Sequence, residues 1–231
     1  MTPTLSPAAE VFGEVLPRLE AYAALLAGPG VERGLLGPRE TPRLWERHLL
    51  NCAGLSELVA DGEVVLDLGS GAGLPGVVLA LARPDVQVVL VESLQRRATF
   101  LSEAVASLGL TNTLVRRARA EELHGKVEVD VVTARAVAPV DRLAGWALPL
   151  LRPGGRLLAL KGEQAGAELE LARPVLARLG AVSSSVVEVG DERLHTAARV
   201  VVVEAGQAVT SRPTRSSSGK NPRTAPRKAR R

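Results

Sequence analysis

The run Val64-Val65-Leu66-Asp67-Leu68-Gly69-Ser70-Gly71-Ala72-Gly73-Leu74-Pro75-Gly76 constrains this chain more than any other stretch. It reads as an apolar strand ending in a carboxylate, then a glycine-spaced turn, then the start of a helix. Glycine admits φ > 0 and lets backbone come close to a ligand, so such a turn can wrap a nucleotide. Pro75 suits the first helical turn, where its missing N–H costs nothing. From Glu63 onward apolar runs and helical patterns alternate, the signature of a parallel sheet with crossover helices.

Strands are expected at 63–68, 86–91, 112–116, 128–133, 155–161, 182–189 and 197–204, with helices at about 75–82, 94–108, 139–151 and 164–179. Only Gly190 to His195 separates the last two strands, too few residues for a parallel crossover, so that pair is antiparallel. Seven strands ending in a hairpin is the pattern of the class I S-adenosylmethionine-dependent methyltransferase fold, a Rossmann-like α/β sheet. The dinucleotide Rossmann sheet ends in parallel strands instead. Ahead of the sheet, Val11, Val15, Leu19, Tyr22, Leu25 and Leu26 fall at helical spacing up to a break at Gly28-Pro29-Gly30. Thr41 and Pro42 read as N-cap and first residue of a second helix reaching about Leu58. The expected organisation is a helical extension over 1–60, a methyltransferase domain over 61–206 and a basic tail over 207–231.

Charge divides the chain the same way. Between Arg212 and Arg231 there are eight Arg or Lys and no acids; the rest carries 21 basic against 25 acidic residues, a balance of −4. A Ser/Pro/Arg tail cannot build a core, and reads either as a solvated end or as a set of phosphate contacts. The single cysteine, Cys52, excludes an internal disulfide and fits a reducing cytoplasm. No apolar run approaches the ~18 residues of a membrane span, and no signal-peptide pattern opens the chain, so a cytoplasmic location is expected.

Gly71 to Gly76 matches G-x-G-x-x-G, so a nicotinamide dinucleotide must be weighed. Asp67 weighs against it, because an anion beside the turn repels a pyrophosphate. S-adenosylmethionine, with a cationic sulfur, an ammonium and no phosphate, tolerates that acid. Asp67 and Gly71 are therefore expected at the donor. Glu92 ends the second strand about 20 residues on, placed to accept hydrogen bonds from ribose hydroxyls, and Ser93 reads as N-cap of the next helix. Ala120 and Glu121 follow the third strand, where this fold borders the adenine.

The fourth strand ends at Thr133-Ala134-Arg135-Ala136, where substrate meets donor in open α/β sheets. No Asn/Asp-Pro-Pro-Tyr-type motif stands there to hold an exocyclic amine. Cys52, the one thiol available to C5 chemistry, falls in the helical extension rather than at a strand end. A basic side chain without a nucleophile fits a target already nucleophilic, such as the guanine N7 lone pair, with Arg135 near guanine O6 or a phosphate. Its alternative is a salt bridge to a loop acid. Arg47, His48 and Lys161 are candidate RNA contacts; His48 is otherwise a packing group, and Lys161 a solvated lysine. Trp146 reads as core. No metal site is indicated.

The blocks Trp45-Glu46-Arg47-His48-Leu49-Leu50, Asp67 to Gly76, Val91-Glu92-Ser93-Leu94 with Arg97, Ala118 to Glu121, Ala134-Arg135-Ala136, and Leu151 to Gly155 through Leu160-Lys161-Gly162 occur in order. Together they resemble the small-subunit ribosomal RNA guanine-N7 methyltransferases, the RsmG or GidB family, over about residues 10–205. The resemblance implies transfer of a methyl from S-adenosylmethionine to guanine N7 in the 530 loop of 16S rRNA; a monomer is expected. It places donor contacts on Gly69, Leu74, Ala120, Glu121 and Arg135. Two departures stand out. Asn51-Cys52 replaces the family's Asp-Ser, leaving His48 without that acidic neighbour, and Ala134 replaces a serine. An oxidoreductase, a non-catalytic RNA-binding assembly factor and a methyltransferase for a small molecule or protein are the competing readings.

Overall fold

The computed structural model describes residues 6–191 and 194–206; the basic tail lies outside the described residues. In chain order the elements are α1 (Pro7–Phe12), α2 (Leu16–Leu25), α3 (Asn51–Ala53), β1 (Val64–Leu68), α4 (Gly76–Ala82), β2 (Gln87–Glu92), α5 (Gln95–Ser107), β3 (Thr113–Arg117), β4 (Val129–Arg135), α6 (Val140–Ala147), β5 (Leu151–Lys161), α7 (Ala165–Arg178), β6 (Ala181–Val189) and β7 (Ala198–Ala205). The strands form one sheet in the order β3-β2-β1-β4-β5-β7-β6. The first five run parallel, and β7 pairs antiparallel with both β5 and β6. Each expected strand is present, and so is the closing hairpin.

Both faces of the sheet are covered, which is why its strands read as continuous apolar runs rather than alternating ones. Successive side chains of β1 point to opposite faces. Val65 packs with α4, α5 and the N-terminal helices, while Leu66 and Leu68 pack with α6 and α7. The extension thus shares a core with one face of the sheet: Leu19, Tyr22, Leu26, Leu49 and Leu55 are fully buried there. Trp146 is only partly buried; it packs against the opposite core, with the Arg142 guanidinium 4.8 Å from its ring.

The element boundaries and caps depart from expectation in several places. Gly13, at φ 49°, interrupts the first helix, whereas Gly28-Pro29-Gly30 does not end it: a π-helical turn over Leu26–Gly30 absorbs Pro29, and helical backbone continues to Glu32. The second helical run begins at Pro38 behind Gly37, not at Thr41. Thr41 and Pro42 lie inside its opening 3-10 turn, Pro38–Arg43, which passes through a π turn at Trp45–Leu50 and α3 to Leu58. Ser93 does not cap α5; Leu94 holds that position with no side-chain cap. The sixth helix stops at Ala147 rather than 151, because Pro149 sits in a 3-10 turn and Leu151 already pairs with Val129 across a bulge.

Candidate functional site

Strand order reverses between β1 and β4, whose neighbours on either side are reached by crossovers in opposite directions. Their carboxyl ends lie side by side, Asp67 in register with Thr133. Ligands of open α/β sheets bind at such a switch point. The turn after β1 is held from β2, because the N–H groups of Gly69 and Ser70 both donate to the Val91 carbonyl, at 2.9 and 3.0 Å. Gly69 has φ 70°, and a Cβ there would stand 3.0 Å from Val137 of the loop after β4. Gly76 lets α4 close onto β1, since an added Cβ would meet Leu90 and Asp67. From the other side Tyr22 of α2 donates its hydroxyl to the Ala72 carbonyl at 2.7 Å, and Leu74 is buried beside it.

Asp67 is completely buried. Its Oδ2 accepts the Gly76 N–H at 3.1 Å, while Oδ1 has no partner. Burial raises its pKa to about 7, against the opposing pull of the nearby Ser70 hydroxyl, the Gly76 N–H and the Arg135 charge. Glu92 is also buried, and its carboxylate bridges two segments by accepting the N–H groups of Gly71 at 3.1 Å and Leu94 at 2.9 Å. Arg97 Nη1 lies 3.7 Å from it, and the buried Arg97 Nε has no partner. Among the described residues these two orphaned atoms, Asp67 Oδ1 and Arg97 Nε, are the buried side-chain polar atoms without a hydrogen bond. Ala120 and Glu121 stand in a 3-10 turn just beyond β3, Ala120 buried and Glu121 exposed. The chain reaches them through Ala118, whose N–H donates to the Glu92 carbonyl at 3.2 Å.

Arg135 closes β4, followed by Ala136 in the left-handed region at φ 55°, a conformation that costs a non-glycine residue about 1 kcal/mol. It opens onto a cleft of about 840 Å³ lined by Arg47, His48, Arg135, Lys161 and Arg199, among others. The salt bridge to a loop acid is not what the structure shows. Arg135 Nη2 lies 2.7 Å from His48 Nδ1, and Nη1 lies 3.8 Å from Cys52 Sγ and 3.5 Å from the Arg47 carbonyl. His48 Nε2 in turn lies 2.9 Å from Glu40 Oε2. The expectation that His48 lacks an acidic partner is therefore corrected: Glu40, eight residues upstream, supplies it. Lys161 is not a solvated lysine either; its Nζ donates to Glu168 and to the Ala138 carbonyl, both at 2.7 Å. Arg47 is exposed at the cleft. Cys52 is fully buried, which pushes its thiol up to about 11.

The sequence pattern of the GidB family, rRNA small subunit methyltransferase G, matches residues 15–197. The chain is 56% identical over 216 residues to the ribosomal RNA small subunit methyltransferase G of Thermobifida fusca, covering 94% of this chain and 91% of that protein. The chain belongs to the rRNA small subunit methyltransferase G family. The Streptomyces avermitilis member is 56% identical over 209 residues, covering 90% of this chain and 88% of its own length. At the level of fold, a precorrin-6y C5,15-methyltransferase from Geobacter metallireducens superposes with a TM-score of 0.50 at 14% identity, over 75% of this chain and 91% of that one. The sheet is that of a class I methyltransferase.

For a member of this family, the turn's chemistry is informative. Two buried carboxylates border it, and no Lys or Arg lies between Val64 and Gly76. That donor set suits a cationic nucleoside and opposes a pyrophosphate. Sequence reasoning placed Glu92 and Arg135 at strand ends and Asp67 one residue short of the end of β1, but missed Glu40 and Tyr22. Neither carries a local signal, because each acts on a residue that only the tertiary fold brings near.

Proposed function

We propose that this chain transfers a methyl group from S-adenosylmethionine to N7 of a guanine in the 530 loop of 16S rRNA, acting as a cytoplasmic monomer on the small ribosomal subunit. The observation that carries the reading is the place of Arg135: Asp67 feels its charge, and it also lines the cleft. It stands at the junction of donor and target.

The donor fits what the turn offers. The unpartnered Asp67 Oδ1 gives a cationic ligand a buried acceptor, and Glu92 retains acceptor capacity beyond its two backbone bonds. Gly69, Gly71 and Leu74 shape the cradle, with Ala120 and Glu121 at the adenine. S-adenosylmethionine supplies an electrophilic methyl on a sulfonium sulfur. Guanine N7 carries no proton, so this chain has none to remove; positioning is its main contribution. Arg135 is suited to guanine O6 or a phosphate, as arginine commonly is. The state of Cys52 supports this choice of atom. A buried thiol pushed up to about 11 supplies no thiolate for attack on a pyrimidine ring. Arg47, His48 and Lys161 face the RNA across the cleft, Lys161 with one N–H donor to spare. No described helix is long and apolar enough to cross a membrane.

The test is transfer of labelled methyl from S-adenosylmethionine to 30S subunits lacking the mark, followed by chemical cleavage at 7-methylguanine. One cut, in the 530 loop, is expected. Label on rRNA without that cut moves the target, and no label with the donor bound points to a small molecule instead.

A further inference from the structure

Arginine has no lone pair to offer, so the 2.7 Å contact between Arg135 Nη2 and His48 Nδ1 requires Nδ1 to be the acceptor. The imidazole proton then sits on Nε2, where it faces Glu40 Oε2 at 2.9 Å. The three groups form one line, carboxylate to neutral imidazole to guanidinium, and each hydrogen bond fixes the tautomer that the other needs. The line crosses the fold, from the opening turn of the second helical run to the carboxyl end of β4. Its last member lines the cleft, and its charge reaches Asp67 ahead of the glycine turn.

We propose that Glu40 and His48 are positioning residues that set the aim of the Arg135 guanidinium, and that protonation of His48 releases it. This rests on the reading of Arg135 given above. A guanidinium has several rotatable bonds behind it, and one held on a fixed acceptor presents its remaining N–H groups in a single direction. A charged His48 has no acceptor at Nδ1 and repels the arginine.

The charged groups around His48 are Arg135 from β4, Glu40 and Arg47 from its own helical run, and Lys161, Glu163, Glu188 and Arg199 across the cleft. Burial, the largest influence, and the Arg135 charge both lower the His48 pKa, so at neutral pH the ring is the required neutral form. The Glu40 bond works the other way. That bond also holds the Glu40 carboxyl below its usual range.

Asparagine separates positioning from bulk structure, because its side-chain oxygen takes the place of Nδ1 and does not titrate. Single-turnover methyl transfer to 30S rRNA is measured from about pH 5 to 8, alongside donor affinity and thermal melting. The wild-type rate is expected to fall on the acid side. His48→Ala should lower the rate at pH 7.5 by about tenfold or more with donor affinity little changed, and His48→Asn should recover most of that loss and flatten the acid limb. Glu40→Ala should lower the rate severalfold and move the limb to lower pH, since Glu40 raises the His48 pKa. If His48→Ala does not fold, the limb in the other two variants decides.

A wild-type profile flat to about pH 5, an unchanged limb in folded His48→Asn or Glu40→Ala, or a His48→Asn rate as low as that of His48→Ala overturns the proposal. Label is counted wherever it enters rRNA. A misplaced target therefore leaves this test intact, and failure of the wild-type chain to label rRNA at all refutes the functional reading and this proposal together.

Discussion

At Asp67, pH acts on the stability of the fold. An aspartate titrates near 3.8 when free, and burial moves this one to about 7. The folded chain therefore holds the proton more tightly than the unfolded chain. The resulting stabilisation is complete below about 4 and is lost as pH rises to about 7. Asp67→Asn, a neutral isostere, should gain stability over wild type in thermal melts between about pH 5 and pH 8, while donor affinity falls about tenfold or more for lack of a charged acceptor. A gap that stays constant across that range contradicts the burial argument. Gly76 explains how the acid is kept dry: any side chain there would strike Asp67 and Leu90, so α4 closes directly on the strand end.

At the scale of elements, Tyr22 ties the helical extension to the glycine turn. Its hydroxyl holds the Ala72 carbonyl from within the core, and a Cβ at Gly73 would stand 2.7 Å from the Tyr22 hydroxyl oxygen. Tyr22→Phe leaves a buried carbonyl unpaired. It should cost about 1–2 kcal/mol, a drop in Tm of about 3–6 °C, and donor affinity should weaken with it. Calorimetry checks both, and a stable variant with full affinity would show the extension to be a bystander to the turn. The sheet was legible in the sequence because strands buried on both faces must be apolar along their length, as in Val88 to Val91 and Val200 to Val203. The groups at the strand ends were legible because Glu92 and Arg135 close such runs and Asp67 interrupts one just before its last residue. Glu40 was not, since helical pairing rules reach three or four residues, not eight, and the run from Pro38 to Leu58 mixes 3-10, π and α turns. The start of β5 was missed because its bulged pairing with Val129 leaves no trace in the apolar pattern.

The whole molecule pairs a body of balance −4 with a tail of eight cations. An acidic body does not favour RNA from a distance, so the tail and the few basic side chains at the cleft must supply the attraction. Removing residues 207–231 should weaken binding to 30S subunits and flatten its salt dependence by about 0.7–0.9 in log–log slope for each lost phosphate contact, with Tm unchanged. An unaltered slope would assign the tail to solvent. The account as a whole stands on Arg135 serving the target more than the donor. Donor affinity and single-turnover methyl transfer in Arg135→Ala measure this directly. Transfer should fall about a hundredfold while the donor Kd stays within about threefold. Equal losses in both would make Arg135 a donor-site residue and remove the link between turn and cleft.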